Sequence, residues 1–210
     1  MINSIYKTLR PTRRQTEKEG ESVEIIISKQ PTVEPVTLQE VKDYARIDAK
    51  DDDKLLETLI TACRKEAERV SNRAFITQEI TAQWQYMGNF VILPRPPHQA
   101  IIKVERAVMF NWRQLKQSEY RVTGLQQYRI DIDLIFRITG YQEFPFRVTY
   151  AAGEGDDADH IDERIKPAIL DMVLVAFDNR GQIKTADGGQ LGGLMTPTAM
   201  QLLDGLTSFR

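Results

Sequence analysis

The chain has 210 residues, of which 41% are hydrophobic and 28% are charged, so it is neither disordered throughout nor embedded in a membrane. Its formal net charge of -2 disfavours nucleic-acid binding by the whole surface. No apolar run approaches the roughly 20 residues that span a bilayer, and the first residues lack a signal-peptide pattern. We therefore expect a soluble, unexported protein without a membrane partner.

Residues 1–35 are predicted to form an extended basic arm. Neither a helical nor a long strand period is sustained over this segment, although residues 23–27 form a short β-like run ahead of Pro31 and Pro35. Such a segment is expected to become ordered only against a partner. Its first 16 residues contain no acid and four cations, which are Lys7, Arg10, Arg13 and Arg14.

Residues 36–76 are predicted to be helical. Thr37 and Glu40 have the spacing of a capping box, which indicates that a short helix begins there and ends near Asp48. Three aspartates at 51–53 then precede the clearest helix of the chain, with acids in its first turn and cations in its later turns. Its apolar stripe repeats every three or four residues and consists of Leu55, Leu56, Leu59, Ile60, Cys63, Ala67 and Val70.

Residues 77–153 are predicted to form an antiparallel β subdomain, because the period of the apolar residues changes to two. Alternation is clear at 80–86, 128–136 and 146–150, and it nearly holds at 102–108. Trp84 and Tyr86 fall on the predicted core face, whereas Trp112 is predicted to be a turn residue or a contact with a neighbour. Glycines and prolines separate the runs, as turn residues do.

After the predicted strands, the apolar residues again recur every three or four positions, as in an amphipathic helix. Residues 154–180 are predicted to contain a closing helix, residues 181–195 a glycine-rich loop, and residues 196–210 a last helix with Thr196 as its N-cap and Pro197 in its first turn. The order of helices, strands and helices predicts an α+β fold. In this fold the N- and C-terminal helices form a small bundle, and the antiparallel β subdomain is inserted between them.

Few residues are suited to chemistry, so we expect no catalytic residue, no metal site and no cofactor. The acids of residues 154–163 lack the turn glycine and terminal glutamate of a calcium loop and are predicted to be a solvated turn beside His160. Cys63 is predicted to be a buried small hydrophobe. His98 follows two prolines and is predicted to be a surface turn residue. The glycine-rich loop lacks the lysine of a phosphate-binding loop.

An ordered set of short segments resembles the tailed-phage head-to-tail connector proteins, also called head-completion adaptors. In that family a helix ending near an Arg-x-Asp, here Arg46 and Asp48, leads through an acidic turn to a second helix. The resemblance extends over residues 36–206. The segments that carry it are 36–42, 46–48, 51–56, 67–68, 72–78, 92–97, 148–153, 167–170, 179–180 and 202–203.

The resemblance implies a structural subunit of the virion neck, assembled in the host cytoplasm into a homo-oligomeric ring of about 12 copies beneath the portal. Its implied partners are other copies of itself, the portal protein, a tail or stopper protein, and DNA passing through the channel. The family docks its C-terminal segment on the portal. Here that segment contains Met200, Leu202, Leu203, Leu206 and Phe209. The arm at 1–34 and the glycine-rich loop depart from the family pattern.

The basic arm leaves two interpretations open. A DNA-facing arm would gain affinity by counterion release, and the chain would then be a DNA-binding accessory factor of genome packaging or head completion. A protein-facing arm would dock on an acidic surface or add residues 23–27 to a neighbouring sheet. The second interpretation is favoured, because a channel through which DNA slides gains little from tight basic contacts.

Overall fold

The computed structural model describes residues 23–84, 90–108, 111–125, 127–132, 146–179 and 194–206. Several of the predicted features lie outside these residues. They are the cations of the basic arm, Tyr86, most of the glycine-rich loop, the second half of the run at 128–136, and Phe209.

Four α-helices occur within the described residues: α1 (Leu38–Ala45), α2 (Asp53–Ser71), α3 (Ile165–Asp178) and α4 (Pro197–Asp204). The predicted capping box is confirmed, since the Thr37 hydroxyl accepts a hydrogen bond from the Glu40 amide at 3.1 Å and Glu40 accepts one from the Thr37 amide at 2.6 Å. The Thr196 hydroxyl caps α4 in the same manner, accepting from the Ala199 amide at 3.0 Å. Local sequence therefore sets where these two helices begin.

The four helices surround one apolar core, in which α3 is central and packs against the other three helices. Most of the predicted stripe of α2 supplies its side of this core, but Leu55 faces outward and is 36% exposed, and the half-buried Val70 is not part of the core. The wholly buried side chains of the helical core include Leu56, Cys63, Ala67, Ile165, Ile169 and Met172.

The strands form two antiparallel sheets. The larger one is ordered β1 (Val23–Lys29), β2 (Gln78–Trp84), β8 (Phe146–Ala152), β4 (His98–Val108) and β5 (Asn111–Gln114). The smaller one is ordered β3 (Phe90–Ile92), β7 (Arg129–Ile132) and β6 (Tyr120–Thr123). Four helices and two antiparallel sheets confirm the predicted α+β class, and every described strand except β1 lies between α2 and α3 in the chain.

A second core lies between the two sheets. Strands β2 and β8 turn alternate residues towards it, as their period of two predicts, and Trp84 is only 3% exposed. The smaller sheet contributes Val91 and Ile130, which pair opposite each other. Trp84 and Phe146 pack with ring centroids 6.1 Å apart.

The prediction that residues 23–27 order only against a partner is wrong. They begin β1, which pairs with β2 of the same chain in antiparallel register from Val23 opposite Trp84 to Lys29 opposite Glu79. Ile25 and Ile27 lie opposite Ala82 and Ile80, so they extend the apolar face of the sheet. Pairing with a strand more than 50 residues away in the sequence leaves no local sign, which is why the run was assigned to the arm.

The near alternation at residues 102–108 predicts that its apolar residues share one buried face, and this prediction is only partly right. Ile102 and Val108 are 47% and 39% exposed, whereas Val104 is buried. The register between β4 and β8 shifts twice, between His98 and Ala100 and between Ile101 and Lys103. Each shift changes which residues face the core, so a strict period of two does not apply across β4.

Candidate interaction surfaces

A buried ion-pair network joins the helical core to the sheets. Arg64 of α2 is 1% exposed and donates to Glu34 at 2.7 Å and to Glu68 at 3.0 Å. Glu34 lies in the segment that connects β1 to α1, so the arginine ties this segment to α2. The sequence suggested only that Arg64 complements the helix dipole. The signal for burial was its position four residues after Ile60 on the apolar stripe.

Glu68 extends the network from α2 into β2. It is fully buried and accepts hydrogen bonds from the Phe75 amide at 3.0 Å and the Gln78 side-chain amide at 2.7 Å. Burial raises the pKa of Glu68, and Arg64 with these donors offsets part of that rise. A carboxylate with these partners fixes the angle at which the chain leaves α2 for β2.

Close backbone packing makes a second junction between the helices and the sheets. Gly153, after β8, has φ +148, and a Cβ atom there would come within 2.4 Å of the Thr77 amide nitrogen. Glycine is therefore required where these two segments cross. Beside it, Arg73 donates to Glu154 at 2.8 Å, and Glu154 accepts from the Asp162 amide at 2.6 Å ahead of α3.

The prediction that His98 is a surface turn residue is wrong. It is 5% exposed and opens β4. Its Nδ1 accepts from the Tyr128 amide at 2.9 Å, so its Nε2 carries the proton and donates to the Pro94 carbonyl at 2.9 Å. The Tyr150 hydroxyl donates to the same carbonyl at 2.6 Å. His98 therefore holds the proline turn against both sheets, and its backbone partners could not be foreseen from nearby sequence.

Cys63 is buried as predicted. Desolvation raises the pKa of its thiol to about 12, so the reactive thiolate is scarce at neutral pH. The acids that follow β8 form an exposed turn, in which Asp157 contacts His160 at 2.6 Å. Within the described residues, no group of His, Cys, Asp and Glu side chains could hold a metal ion. Over the same residues, no helix is long and apolar enough to cross a membrane.

The predicted C-terminal docking residues are divided between the surface and the core. Met200 is 54% exposed and Leu202 is half-buried. Leu203 and Leu206 are 2% and 7% exposed and pack into the helical core, where they hold α4 in place. The surface that α4 offers to a partner is therefore narrower than the sequence suggested.

Two concave surfaces flank β1. A groove of about 720 Å³ runs between Ile27 and the outward face of α2, where Ala62 and Lys65 line it. A smaller recess of about 370 Å³ lies at the other side of the strand, where Lys29 and Ile102 meet Asp156 of the acidic turn. Neither was visible in the sequence, because each joins segments far apart in the chain.

Residues 35–129 match the model of the family described as phage gp6-like head-tail connector proteins. Solved structures from gene transfer agent (GTA) particles share the fold. One, from the neck of an empty GTA particle computed with C6 symmetry, has a TM-score of 0.64 and 14% identity, and the match covers 89% of this chain and 96% of that one. No curated protein sequence matches the chain.

Two further GTA structures agree with this match. A chain of the virion of the native particle has a TM-score of 0.65 and 15% identity, with 89% of this chain and 96% of that one covered. A chain of the native neck computed with C12 symmetry has a TM-score of 0.55 and 15% identity, with 88% and 96% covered.

The chain therefore has the fold of neck proteins from a phage-like particle. Within it, residues 35–129 carry the sequence pattern of the phage gp6-like head-tail connector family. The predicted resemblance is confirmed, and so is the predicted class of function, a structural head-tail connector.

Proposed function

We propose that this protein is a non-enzymatic adaptor subunit that forms a ring between the portal and the tail of a tailed virus or a virus-like particle. The observation that carries the proposal is the family match over residues 35–129. The fold shared with chains from necks of C6 and C12 symmetry supports a ring of about 12 copies around a DNA channel. The proposed location is the neck of the particle, after assembly in the host cytoplasm.

The proposed portal-docking surface is the exposed side of α4. Met200 offers apolar area there, Leu202 is half-buried and packs in part against the helical core, and Phe209 follows them in the sequence. Leu203 and Leu206 act indirectly in this proposal, since they anchor the helix from below. The opposite side of the ring is proposed to receive a tail or stopper protein.

The test is to purify particles and to locate the chain by electron microscopy and native mass spectrometry. We expect a closed ring at the neck, and Met200→Asp should reduce its attachment to the portal while leaving the fold unchanged. Leu125→Asp is the matched control, because Leu125 is 94% exposed and lies far from α4 in the chain. Absence of the chain from purified particles would overturn the proposal.

A second candidate is a DNA-binding accessory factor of packaging or head completion. The observation that favours it is the arm with four cations and no acid in residues 1–16. Deleting residues 1–16 would then abolish DNA retention at low salt and leave ring assembly intact. Unchanged DNA retention would exclude this candidate.

A further inference from the structure

A half-buried cation without an anion lies in the larger groove. Arg95 lines this groove from the proline turn before β4, and its φ of 55 is one that residues other than glycine rarely adopt. Burial raises the pKa of Glu68, and Arg64 and, from farther away, Arg95 offset part of that rise. Arg95 nevertheless makes no hydrogen bond or ion pair with any residue that the structure describes. An anion that enters the groove therefore gains a guanidinium partner.

The rest of the groove combines apolar walls with an excess of positive charge. Ile27 and Ala62 supply apolar surface within its volume of about 720 Å³. Glu66 is paired with Arg69 at 2.8 Å, whereas the exposed Lys65 makes no ion pair with the described part of the chain. The charged residues that line the groove are Lys65, Arg69 and Arg95 against Glu57 and Glu66. The groove is therefore suited to an apolar side chain that stands next to a carboxylate.

The end of α1 has this combination. Tyr44 is 50% exposed, more than any other aromatic residue that the structure describes, and the preceding Asp43 is exposed as well. Tyrosine is a typical anchor of protein interfaces, because it buries a large area at a small cost in side-chain entropy. Acids also outnumber cations among the exposed charged residues nearby, which are Asp43, Asp48 and Asp51 against Arg46 and Lys50.

Helix α1 and the groove lie on opposite sides of α2. Val41 of α1 and Leu56 of α2 belong to the same buried cluster, so α1 packs on the core side of α2. Thr58 and Ala62 line the groove from the outward face of the same helix. A contact that joins opposite sides of identical subunits is heterologous, and its repetition around an axis closes a ring. The end of α1 and the groove that receives it therefore belong to neighbouring subunits.

We propose that Tyr44 of one subunit inserts into the groove of the next, where it packs against Ile27 and Ala62 while Asp43 accepts hydrogen bonds from Arg95. This inference rests on the proposed ring. It assigns to the groove an occupant of defined chemistry, an aromatic side chain beside a carboxylate on a second copy of this chain.

Chemical cross-linking tests the contact directly. Tyr44→Cys and Thr58→Cys are combined in one chain, and rings assembled on the portal are treated with a short bis-maleimide; Cys63 is kept, because it is buried and unreactive. A ladder of covalent multimers on a denaturing gel is the expected result. Tyr44→Cys with Ile92→Cys is the matched control, since Ile92 is 51% exposed on the smaller sheet. A cross-link confined to one chain, no cross-link, or an equal ladder in the control would overturn the inference.

Assembly on the portal gives a second, independent measurement. Tyr44→Ala should raise the concentration of the chain that half-saturates the portal at least tenfold, whereas Ile92→Ala, at a site of similar exposure, should leave it unchanged. Equal concentrations for these two variants would contradict the contact.

Charge exchange tests the polar half of the contact. Asp43→Lys should weaken assembly about tenfold at low salt, and Arg95→Glu in the same chain should recover most of this loss. Circular dichroism checks that each variant folds, and Lys65→Glu on the groove replaces Arg95→Glu if the latter does not fold. A loss that no groove variant recovers would show that Asp43 does not face this groove.

The wild-type ring is measured first, so that two kinds of failure can be told apart. If the wild-type chain forms no ring on the portal, the proposed function fails. If the ring forms but neither cross-links between Tyr44→Cys and Thr58→Cys nor responds to Tyr44→Ala, the proposed function stands and only the contact between α1 and the groove is wrong.

Discussion

The helical core and the sheet core are stabilised in different ways. The helical core is almost wholly apolar, and side chains from α2 and α3 fill it at helical spacing. The sheet core encloses polar side chains, since His98 and the Tyr150 hydroxyl both hydrogen-bond to the Pro94 carbonyl. Between the two cores, the contacts that fix their relative position are largely charged and centre on Glu68. Apolar burial thus stabilises each part, and hydrogen bonds set the geometry that joins them.

Removing the Glu68 carboxylate tests this comparison most severely. Glu68→Ala should lower the free energy of unfolding by about 3–5 kcal/mol, because Arg64 loses a buried partner and two further donors are left unsatisfied. Urea unfolding followed by far-ultraviolet circular dichroism and by tryptophan fluorescence gives the measurement. We also expect the two probes to separate in the variant, because the helices and the sheets lose their link.

Glu57→Ala is the matched control for Glu68→Ala, since Glu57 is exposed on the same helix. Its effect should stay within about 0.5 kcal/mol. A similar loss in both variants would contradict the role assigned to the buried network.

The sheet part is tested at His98. His98→Phe keeps the ring but removes both hydrogen bonds, so the Tyr128 amide and the Pro94 carbonyl each lose a partner. The expected loss is about 2 kcal/mol in urea unfolding. The Tyr150 hydroxyl still reaches Pro94, which limits the cost. If the loss is below about 0.5 kcal/mol, the histidine is not the anchor of this turn.

The helical part is tested at its first cap. Thr37→Ala removes the hydroxyl that accepts from the Glu40 amide, and the expected loss is about 1 kcal/mol. Thermal unfolding is a suitable measurement. Thr37→Ser retains the cap and serves as the control, so equal melting temperatures of the alanine and serine variants would argue against capping.

The smallest expected effect is a pH-dependent one at Asp162. The Arg164 guanidinium lowers the pKa of this carboxyl to about 2, below its usual 3.8. The ion pair therefore stabilises the fold above about pH 4, and its contribution is lost as the pH falls towards 2. Asp162→Asn should cost less than about 1 kcal/mol at neutral pH, because solvent screens the partly exposed pair. Stability curves of the wild type and the variant against pH should converge as the pH falls to about 2.

Local patterns accounted for most of the helical part. The capping pair Thr37 and Glu40 predicted the start of α1, and the stripe through Leu56 and Ala67 predicted the buried face of α2. The runs at β2 and β8 were recognised by their period, but the three short strands β3, β5 and β6 were not. Strands of three or four residues give too few alternations to be distinguished from loops.

The predicted docking residues were harder to assess from sequence. All of the predicted C-terminal docking residues have apolar side chains, so the sequence could not distinguish Met200 at the surface from Leu203 in the core. The smaller recess beside β1 was not foreseen at all, because it requires β1, the start of β2 and the acidic turn to meet.

The sequence by itself determined the helices, their caps, the apolar stripe of α2 and the likeness to head-tail connectors, since each depends on residues a few positions apart. Only the tertiary structure decided that residues 23–27 pair within the chain, that His98 is buried and that Arg64 and Glu68 join the two cores. The physical reason is that a helix closes its hydrogen bonds locally, whereas strand pairs and buried polar groups find their partners across the fold.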